Sequence, residues 1–418
     1  MLKEKTAVIL LAAGKSTRMK SDYPKALHPI LSRPMLGYCL DLVKSLTADK
    51  AILVLGHKHE QIKPLIQGKI KVVIQKKLIG TADAVKIALT QLNNFKGTVL
   101  VLYCDNPLLK KETIKNLLKQ HIASHSEATL LTAVTDKPFG YGRILRDKYQ
   151  SICGIIEEKD ASDFQKNIKE INTGTVCFRK DSLSYALNRV KADNRKKEYY
   201  LTDTIGILYK RGSLIDSFKL DDLGQALGIN SRSDLAEANK IMQRRINEDF
   251  MKNGITIVNP ENTFISYGVT IGKDSIIYPF TVIDRNVKIG KRCKIGPFAH
   301  IRGGSRLSDD VSVGNFIEVN RSKLASKARA KHFSYLGDAR VGRFVNIGAG
   351  TVTANYDGKK KNITVIGDKA FIGSDTILVA PVKIGKGAKT GAGSVVTRNR
   401  NVAANSTVVG VPAKPLEK

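Results

Sequence analysis

Two features in the N-terminal half combine residue types and positions that suit phosphate and metal chemistry. The segment Leu11-Ala12-Ala13-Gly14 follows an apolar run, and small residues after a strand let backbone N–H groups approach a phosphate. Asp105 ends the apolar run 99–104, where a carboxylate is a good Mg²⁺ ligand if phosphates supply further oxygens. Each feature alone is equally compatible with an ordinary turn. Their agreement on phosphate and metal favours the functional interpretation.

A third candidate is His332 in the C-terminal half, whose neutral imidazole can accept a proton. A lone histidine is more often structural than catalytic. This one falls in one of two interruptions of a regular repeat, and the second interruption contains Asn355-Tyr356-Asp357-Gly358. We expect both interruptions to be loops ejected from the repeat, where functional residues tend to lie.

The repeat itself is an aliphatic residue at every sixth position from Ile265 to Val319. Neither an α-helix nor a simple strand has this period, and it predicts a parallel β-helix with one strand and one turn per hexad. The register fails after Val319, resumes at Tyr335, breaks around 354–364 and then runs from Ile366 to Val396.

Residues 1–230 alternate between strand-like and helix-like patterns, which predicts a mainly parallel sheet covered by helices. The predicted strands are Val8–Leu11, Ala51–Leu55, Val72–Ile74, Val99–Tyr103 and Thr129–Ala133, and the predicted helices are Met35–Leu46, Glu60–Ile66, Thr81–Leu92 and Thr113–Ile122. Ligands of such sheets bind beyond the carboxyl ends of the strands. Residues 231–253 are a predicted helical connector that starts near the capping pair Ser231 and Asp234, and residues 254–418 are the β-helix.

The composition narrows the class of protein. The chain has 418 residues and a net charge of +31, without tryptophan. The charge permits phosphate contact, but the lysines are dispersed and no stacking platform is evident, so specific nucleic-acid binding is not expected. Five scattered cysteines indicate reduced thiols in a cytoplasmic protein. We find neither a signal peptide nor a membrane-inserting segment.

A series of short motifs in the first half is more specific together than any one motif. They are Leu11-Ala12-Ala13-Gly14, Thr17-Arg18-Met19, Pro24-Lys25, Gln75, Gly80-Thr81-Ala82, Tyr103 with Asp105, Gly140-Tyr141-Gly142-Arg143, Glu157 with Lys159-Asp160, Asn172-Thr173-Gly174, Glu198-Tyr199-Tyr200 with Thr202-Asp203, and Gly228-Ile229-Asn230. With the hexads, they make nearly the whole chain resemble the bacterial bifunctional N-acetylglucosamine-1-phosphate uridylyltransferase / glucosamine-1-phosphate N-acetyltransferase family. The resemblance implies an α/β fold with a Rossmann-like nucleotidyltransferase domain, a helical connector and a left-handed parallel β-helix.

The resemblance also implies the residues of a uridylyl-transfer site. The residues implied to bind the nucleotide and the sugar are Leu11, Ala12, Ala13, Gly14, Gln75, Gly80, Thr81, Tyr103, Gly142, Glu157 and Asn172. By the same resemblance, Arg18 and Lys25 contact the phosphates, and Asp105 and Asn230 bind Mg²⁺. The phosphate of N-acetylglucosamine 1-phosphate would attack the α-phosphorus of UTP in line and displace pyrophosphate. Such a transfer depends mainly on positioning and on neutralising charge.

For the second half the resemblance implies acetyl transfer from acetyl-CoA to glucosamine 1-phosphate, with His332 as the general base. The implied substrate-binding positions are Arg302, Asn320, Tyr335, Asn346, Ala349, Asn355, Tyr356, Ser374 and Ala392. Relatives assemble as homotrimers through the β-helix, with acetyl-transfer sites between subunits. The expected product is UDP-N-acetylglucosamine for cell-wall precursors.

Several positions depart from the family pattern. Ser16 and Cys104 stand where glycine is usual, which predicts added bulk near the phosphates. Asn320 replaces a lysine and Gly410 stands where an arginine is usual, with Arg321, Lys323 or Lys414 as possible compensation, and fewer coils precede Arg302. An alternative is therefore a uridylyltransferase whose β-helix is only an oligomerisation scaffold. A non-catalytic binding protein is a third interpretation, against which Lys25, Asp105, Asn230 and His332 argue.

Overall fold

The computed structural model describes residues 4–15, 17–66 and 68–416. Contacts divide the chain into two compact units, Met1–Asn239 and Lys240–Lys418. In the described residues, no helix combines the length and the apolar character that crossing a membrane requires.

The first unit is built on one nine-stranded sheet. Its elements are β1 Thr6–Ala12, β2 Pro29–Ile30, β3 Arg33–Pro34, α1 Met35–Ser45, β4 Lys50–Leu55, α2 His59–Ile62, β5 Lys71–Ile74, α3 Thr81–Leu89, β6 Thr98–Tyr103, α4 Lys111–Ala123, β7 Ala128–Val134, β8 Gly142–Arg146, β9 Ile152–Ile156, α5 Asp163–Lys166, β10 Glu170–Arg179, α6 Lys180–Leu187, α7 Asp203–Lys210, β11 Ile215–Lys219 and α8 Arg232–Lys252, of which α8 continues into the second unit. Short 3₁₀ turns occupy Thr17–Met19, Lys25–Leu27, Lys63–Leu65, Thr90–Leu92 and Leu223–Ala226.

The strand order is β11-β7-β10-β6-β1-β4-β5, with β8 and β9 attached as a hairpin beside β10. Strands β6, β1, β4 and β5 are parallel, as the alternating pattern predicts, and each predicted strand lies within an observed one. The antiparallel strand β10 was not predicted; it pairs with both β6 and β7. The predicted helix over 60–66 ends as an α-helix at Ile62, because Pro64 has no N–H to continue the ladder.

The second unit is a parallel β-helix with three faces. The strands of the first face are Thr256–Ile257, Ile276–Ile277, Lys294–Ile295, Ser312–Val313, Arg329–Ala330, Asn346–Ile347, Phe371–Ile372, Lys389–Thr390, Thr407–Val409 and the final antiparallel Lys414–Pro415. The strands of the second face are Phe264–Ile265, Val282–Ile283, His300–Ile301, Ile317–Asn320, Ser334–Gly337, Val352–Ala354, Ile377–Val379 and Val395–Val396. The strands of the third face are Thr270–Ile271, Lys288–Ile289, Arg306–Leu307, Lys323–Leu324, Ala339–Val341, Thr364–Ile366 and Val382–Ile384. In most strands one inward aliphatic residue contributes to a continuous buried core, as Ile277, Ile283 and Ile289 do. In Val352–Ala354 and Lys389–Thr390 the buried residue is a threonine.

The first expected interruption of the β-helix is not an ejected loop. Leu324 and Ala330 occupy inward positions directly above Leu307 and Val313, so the coil is complete. Val319 and Leu324 are five residues apart rather than six, and this one-residue deletion shifts the register without opening the stack. Consequently the inward residue is the buried Leu336, and the prediction of Tyr335 at that position was wrong. The second interruption is a true loop, between Ala354 and Thr364.

Candidate functional site

The ammonium group of Lys25 contacts two side-chain oxygen atoms where β6 ends. Lys25 Nζ donates to Asp105 Oδ2 at 2.6 Å and to Asn230 Oδ1 at 2.9 Å. Arg18 also donates to Asn230 Oδ1, at 2.8 Å. The Lys25 side chain is only 15% exposed, so it is not the solvated surface lysine that its position alone would indicate. Four predicted site residues are thereby brought together from three distant parts of the sequence.

The backbone around Asp105 and Asn230 fixes both side chains. Ile229 N–H donates to the carbonyl of Asp105 at 2.9 Å, which joins the end of β6 to the segment before α8. Asp234 Oδ2 accepts from the backbone N–H of Asn230 and of Ser231, and Ser231 Oγ accepts from Asp234 N–H. This reciprocal cap at the start of α8 matches the capping pair predicted from the sequence.

The residues present fit a hard divalent cation whose remaining ligands come from elsewhere. Asp105 Oδ2 and Asn230 Oδ1 already converge on one positive centre, the Lys25 ammonium. Oxygen donors of this kind suit Mg²⁺, which is commonly held by one or two carboxylates plus substrate phosphates. The described residues contain no cluster of three or more His, Cys, Asp or Glu that would form a complete protein cage.

The predicted nucleotide-binding residues lie around the carboxyl ends of β1, β5 and β6. Gln75 is buried and donates to the carbonyl of Gly80 and to Asp83. Gly80 has φ +132°, and a Cβ there would lie 2.2 Å from the carbonyl oxygen of Tyr199, so only glycine fits. Thr81 Oγ1 accepts from Leu201 N–H at 2.9 Å, which fixes the segment 199–201 beside the site.

The predicted sugar-binding residues come from neighbouring strands. Asn172 in β10 pairs with Gly142 in β8, and its side chain accepts from Gly174 N–H. Thr202 Oγ1 donates to Glu157 at 3.1 Å, while burial raises the pKa of the Glu157 carboxyl. Glu157 also lines a cavity of about 290 Å³ with Asp160, Asp193 and Asp203 among its walls.

Arg143 is a supporting residue of this region to which the sequence interpretation gave no role. It is 1% exposed, forms an ion pair with Glu158 at 2.7 Å and donates to the backbone carbonyls of Tyr141 and Lys166. Glu158 in turn accepts from Gly140 N–H. The pair therefore ties the turn before Gly142 to the residue that follows Glu157. The position of Arg143 in the Gly-Tyr-Gly-Arg motif is the sequence feature that could have indicated this role.

Of the two departures near the phosphate loop, one lies outside the described residues, namely Ser16. The expectation of added bulk near the phosphates was wrong for Cys104. Its side chain is buried in the hydrophobic core together with Cys39, whose thiol donates to the Cys104 carbonyl at 3.4 Å.

In the β-helix, one group of predicted residues lies along the corner between the first and second faces. His332, Ala349, Ser374 and Ala392 occupy this corner in successive coils, which are joined by Gly350 N–H to Phe333 O, Asp375 N–H to Ala349 O and Gly393 N–H to Ser374 O. His332 is exposed. Asn346 lies on the first face just before the turn of Ala349. A row of this kind is suited to an extended ligand that ends near His332.

A second group lies toward the opposite edge of the second face. Arg302 binds Glu318 at 2.8 Å, and Arg321 binds both Asp338 and the Asn320 side chain. Asn355 also donates to Asp338. Tyr335 extends over Gly337, where a Cβ would lie 2.5 Å from the Tyr335 hydroxyl and 2.7 Å from Asn355 Nδ2.

The two groups are not brought together in one chain. The four-residue strand Ser334–Gly337 separates His332 from Asp338 by about 13 Å at the usual rise per residue, and Tyr335 on this strand extends toward the second group. Tyr356, on the ejected loop, is exposed and donates to the Gly358 carbonyl.

Fold and site together define a nucleotidyltransferase joined to a hexapeptide-repeat transferase. Residues 8–198 match the MobA-like NTP transferase domain, and residues 268–303 and 363–398 match the bacterial transferase hexapeptide repeat. The bifunctional protein GlmU of Geobacillus sp. (strain WCH70) is 44% identical, with 94% of this chain and 93% of that protein covered. Those of Shouchella clausii (strain KSM-K16) and Thermosipho africanus (strain TCF52B) are 41% and 43% identical, covering 93% and 94% of this chain and 93% and 92% of each relative.

The chain belongs to the family of the bifunctional protein GlmU. This membership confirms the prediction of an enzyme with nucleotidyltransferase and acetyltransferase activities that synthesises UDP-N-acetylglucosamine. The alternative with an inactive β-helix is not favoured. The substrates of this enzyme are nucleotides and sugar phosphates.

Proposed function

We propose that residues 1–230 transfer uridylyl from UTP to N-acetylglucosamine 1-phosphate at the Asp105–Asn230 pair, that residues 231–253 connect the domains, and that residues 254–418 transfer acetyl from acetyl-CoA to glucosamine 1-phosphate at His332. The observation that carries the first assignment is the convergence of Asp105 Oδ2 and Asn230 Oδ1 on the Lys25 ammonium. Two oxygen ligands and two basic side chains at the carboxyl ends of parallel strands suit a metal–triphosphate complex.

In the uridylyl step, the sugar phosphate oxygen forms a bond to the α-phosphorus of UTP while the bond to pyrophosphate breaks. Lys25 and Arg18 neutralise the charge that grows on the phosphate oxygens, which fixed cations do without reorganisation. When bound by Asp105 and Asn230, Mg²⁺ would supply further positive charge that neutralises the same oxygens. Glu157, Asn172 and Gly142 orient the sugar, and Gln75, Gly80 and Thr81 hold the nucleotide.

In the acetyl step, the sugar nitrogen attacks the thioester carbonyl, the C–S bond breaks and CoA leaves as the thiol. His332 accepts the proton that the sugar ammonium must lose. Its exposed position at the end of the row Ala349, Ser374 and Ala392 supports this role. Arg321 lies beside Asn320, at 2.9 Å, and we assign to it the phosphate-directed charge that the family places on a lysine.

A homotrimer fits the separation of the two groups in the β-helix. Within one chain the His332 row and the group around Arg302, Asn320 and Asn355 lie at opposite edges of the second face. A neighbouring subunit would supply the missing group to each site. We also expect the β-helix to be left-handed, the protein to be cytoplasmic and acetyl-CoA to be the acyl donor.

A substrate panel tests both assignments. The enzyme is offered UTP or dTTP with each sugar phosphate, with and without acetyl-CoA and Mg²⁺. We expect pyrophosphate release only with UTP, Mg²⁺ and N-acetylglucosamine 1-phosphate, whether this sugar phosphate is supplied directly or is formed from glucosamine 1-phosphate and acetyl-CoA. We expect CoA release only with glucosamine 1-phosphate and acetyl-CoA. Absence of CoA release at saturating substrates would reinstate the scaffold interpretation, and metal-independent pyrophosphate release would remove the role of the Asp105–Asn230 pair.

A further inference from the structure

The third face of the β-helix carries a row of cations to which the assignments above give no role in either reaction. Lys288, Arg306, Lys323 and Arg340 occupy the outward position of four consecutive strands and are paired neighbour to neighbour. All four are exposed, and we call them the cationic ladder. Since strands of a sheet are about 4.8 Å apart, four positive charges form a straight line of some 15 Å.

The ladder has no anionic partners within the described residues. None of its four side chains takes part in an ion pair or a hydrogen bond there. Other arginines of the same β-helix do have them, because Arg292, Arg321 and Arg343 each bind an aspartate one coil further along. Like charges directly opposite each other in a sheet destabilise it. An unpaired row is therefore a cost to the fold that an external anion would relieve.

The other two faces lack such a row. On the first face the outward residues are Lys294, Ser312, Arg329 and Asn346, so that neutral side chains separate the cations. On the second face the outward residues of four consecutive strands are Val282, His300, Glu318 and Tyr335. Only the third face concentrates positive charge in consecutive coils of the described residues.

We propose that the cationic ladder binds the anionic surface of a lipid bilayer by peripheral adsorption. The face is a regular sheet, so its four charges stand at similar height in a straight line and can all meet a planar anionic surface. Lys and Arg near a leaflet rich in anionic lipid are attracted over about a Debye length. No apolar side chain belongs to the ladder, so the attraction is electrostatic and sensitive to salt.

The same charges would also attract phosphates of a nucleic acid, but the ladder offers little else to one. It contains no aromatic side chain on which bases stack. Its two- and three-residue strands present neither a helix nor a ribbon that enters a groove. The proposal is independent of the assignments made for the two reactions.

The test is vesicle sedimentation with a matched pair of triple variants of the full chain. One removes three ladder charges (Lys288→Gln, Arg306→Gln, Arg340→Gln), and the other removes three charges from the first face (Lys294→Gln, Arg329→Gln, Lys389→Gln). Vesicles of phosphatidylcholine with phosphatidylserine are compared with pure phosphatidylcholine at low salt. We expect the ladder variant to partition about a hundred-fold more weakly than the wild type, and the control variant to lose far less.

Acetyl transfer, which depends on the β-helix that carries the substitutions, and an unchanged circular dichroism spectrum show that both variants are folded. Equal losses in the two variants would mean that only net charge matters and would overturn the proposal. So would absence of binding by the wild type, binding to neutral vesicles, or a ladder-dependent affinity for duplex DNA without ladder-dependent vesicle binding. A change of oligomeric state confined to the ladder variant would assign the row to a subunit contact instead.

Discussion

Lys25 Nζ lies 2.6 Å from Asp105 Oδ2, and this contact lies at the centre of the proposed nucleotidyl-transfer site. The same nitrogen binds Asn230, so the ammonium occupies the position between the two proposed metal ligands. Binding of a divalent cation there requires Lys25 to leave both oxygens. The phosphates of the nucleotide are the natural destination of the released ammonium, which couples metal binding to phosphate binding.

Replacing Lys25 by alanine should slow uridylyl transfer more than it weakens sugar binding. Loss of one fixed charge aimed at the transition state typically costs about 10²–10³ in kcat, whereas the KM for the sugar phosphate should change little. Steady-state pyrophosphate release measures both constants. Lys110→Ala is the matched control, because Lys110 pairs with Asp222 at the surface of the same unit. Unchanged turnover in Lys25→Ala would remove this residue from the mechanism.

Arg143→Met should raise the KM for N-acetylglucosamine 1-phosphate and lower the melting temperature. The change leaves Glu158 without its partner in a largely buried setting, and breaking such a pair costs about 3–5 kcal/mol. The turn before Gly142 also loses its anchor, so sugar affinity should fall more than affinity for UTP.

Two comparisons test the positioning role of Arg143. The double variant Arg143→Met/Glu158→Gln should recover part of the stability, because no buried charge remains unpaired. Lys169→Met, which breaks an exposed ion pair with Asp136, should change neither the melting temperature nor the KM for the sugar phosphate. A melting temperature that falls with an unaltered KM for the sugar phosphate would leave Arg143 a purely structural residue.

Asp203→Asn should make the enzyme more stable at neutral pH. Burial, with Asp193, Glu157 and Asp160 nearby, raises the pKa of Asp203 to about 6. Because the folded state holds this proton more tightly than the unfolded chain, the group stabilises the fold at acid pH. That stabilisation is lost as the pH rises from the unfolded value of about 4 through about 6. The stability difference between variant and wild type should therefore grow across this window and level off above it.

Chemical denaturation at a series of pH values measures the effect of Asp203→Asn. Asp163→Asn is the opposite case, since the hydrogen bond from Lys166 lowers the pKa of the Asp163 carboxyl. Its removal should not stabilise the enzyme at any pH. A difference for Asp203→Asn that does not vary between acid and neutral pH would contradict the raised pKa.

His332→Ala should lower acetyl transfer by about 10²–10⁴, the usual contribution of a general base. Uridylyl transfer in the same preparation should be unchanged, because His332 lies in the other unit. CoA release measures the first activity and pyrophosphate release the second. Acetyl transfer at the wild-type rate would assign the proton acceptor to another group.

The periodic parts of the fold were predictable because the pattern of burial repeats in the sequence. Hexads such as Ile277, Ile283 and Ile289 report an inward position every six residues, and the apolar run before Asp105 reports a buried strand. The five-residue step from Val319 to Leu324 was misread, because a pattern search registers a shortened turn and an ejected loop alike as lost register.

The long-range contacts of the site were beyond sequence reasoning of this kind. Lys25 forms hydrogen bonds with Asp105, which is 80 residues away along the chain, and with Asn230, which is 205 residues away. Their convergence depends on the order of strands in the sheet, which local patterns do not specify. The pairing of Arg143 with Glu158 depends in the same way on the hairpin of β8 and β9.

Complementation between two inactive variants tests the central claim that one chain contains two separable reactions. Asp105→Ala and His332→Ala are each supplied with glucosamine 1-phosphate, acetyl-CoA, UTP and Mg²⁺, singly and as a mixture. Neither variant alone should form UDP-N-acetylglucosamine at more than a small fraction of the wild-type rate, and the mixture should form it after a lag as free N-acetylglucosamine 1-phosphate accumulates. A mixture as inactive as its components, or a single variant that loses both partial reactions while remaining folded, would contradict the account.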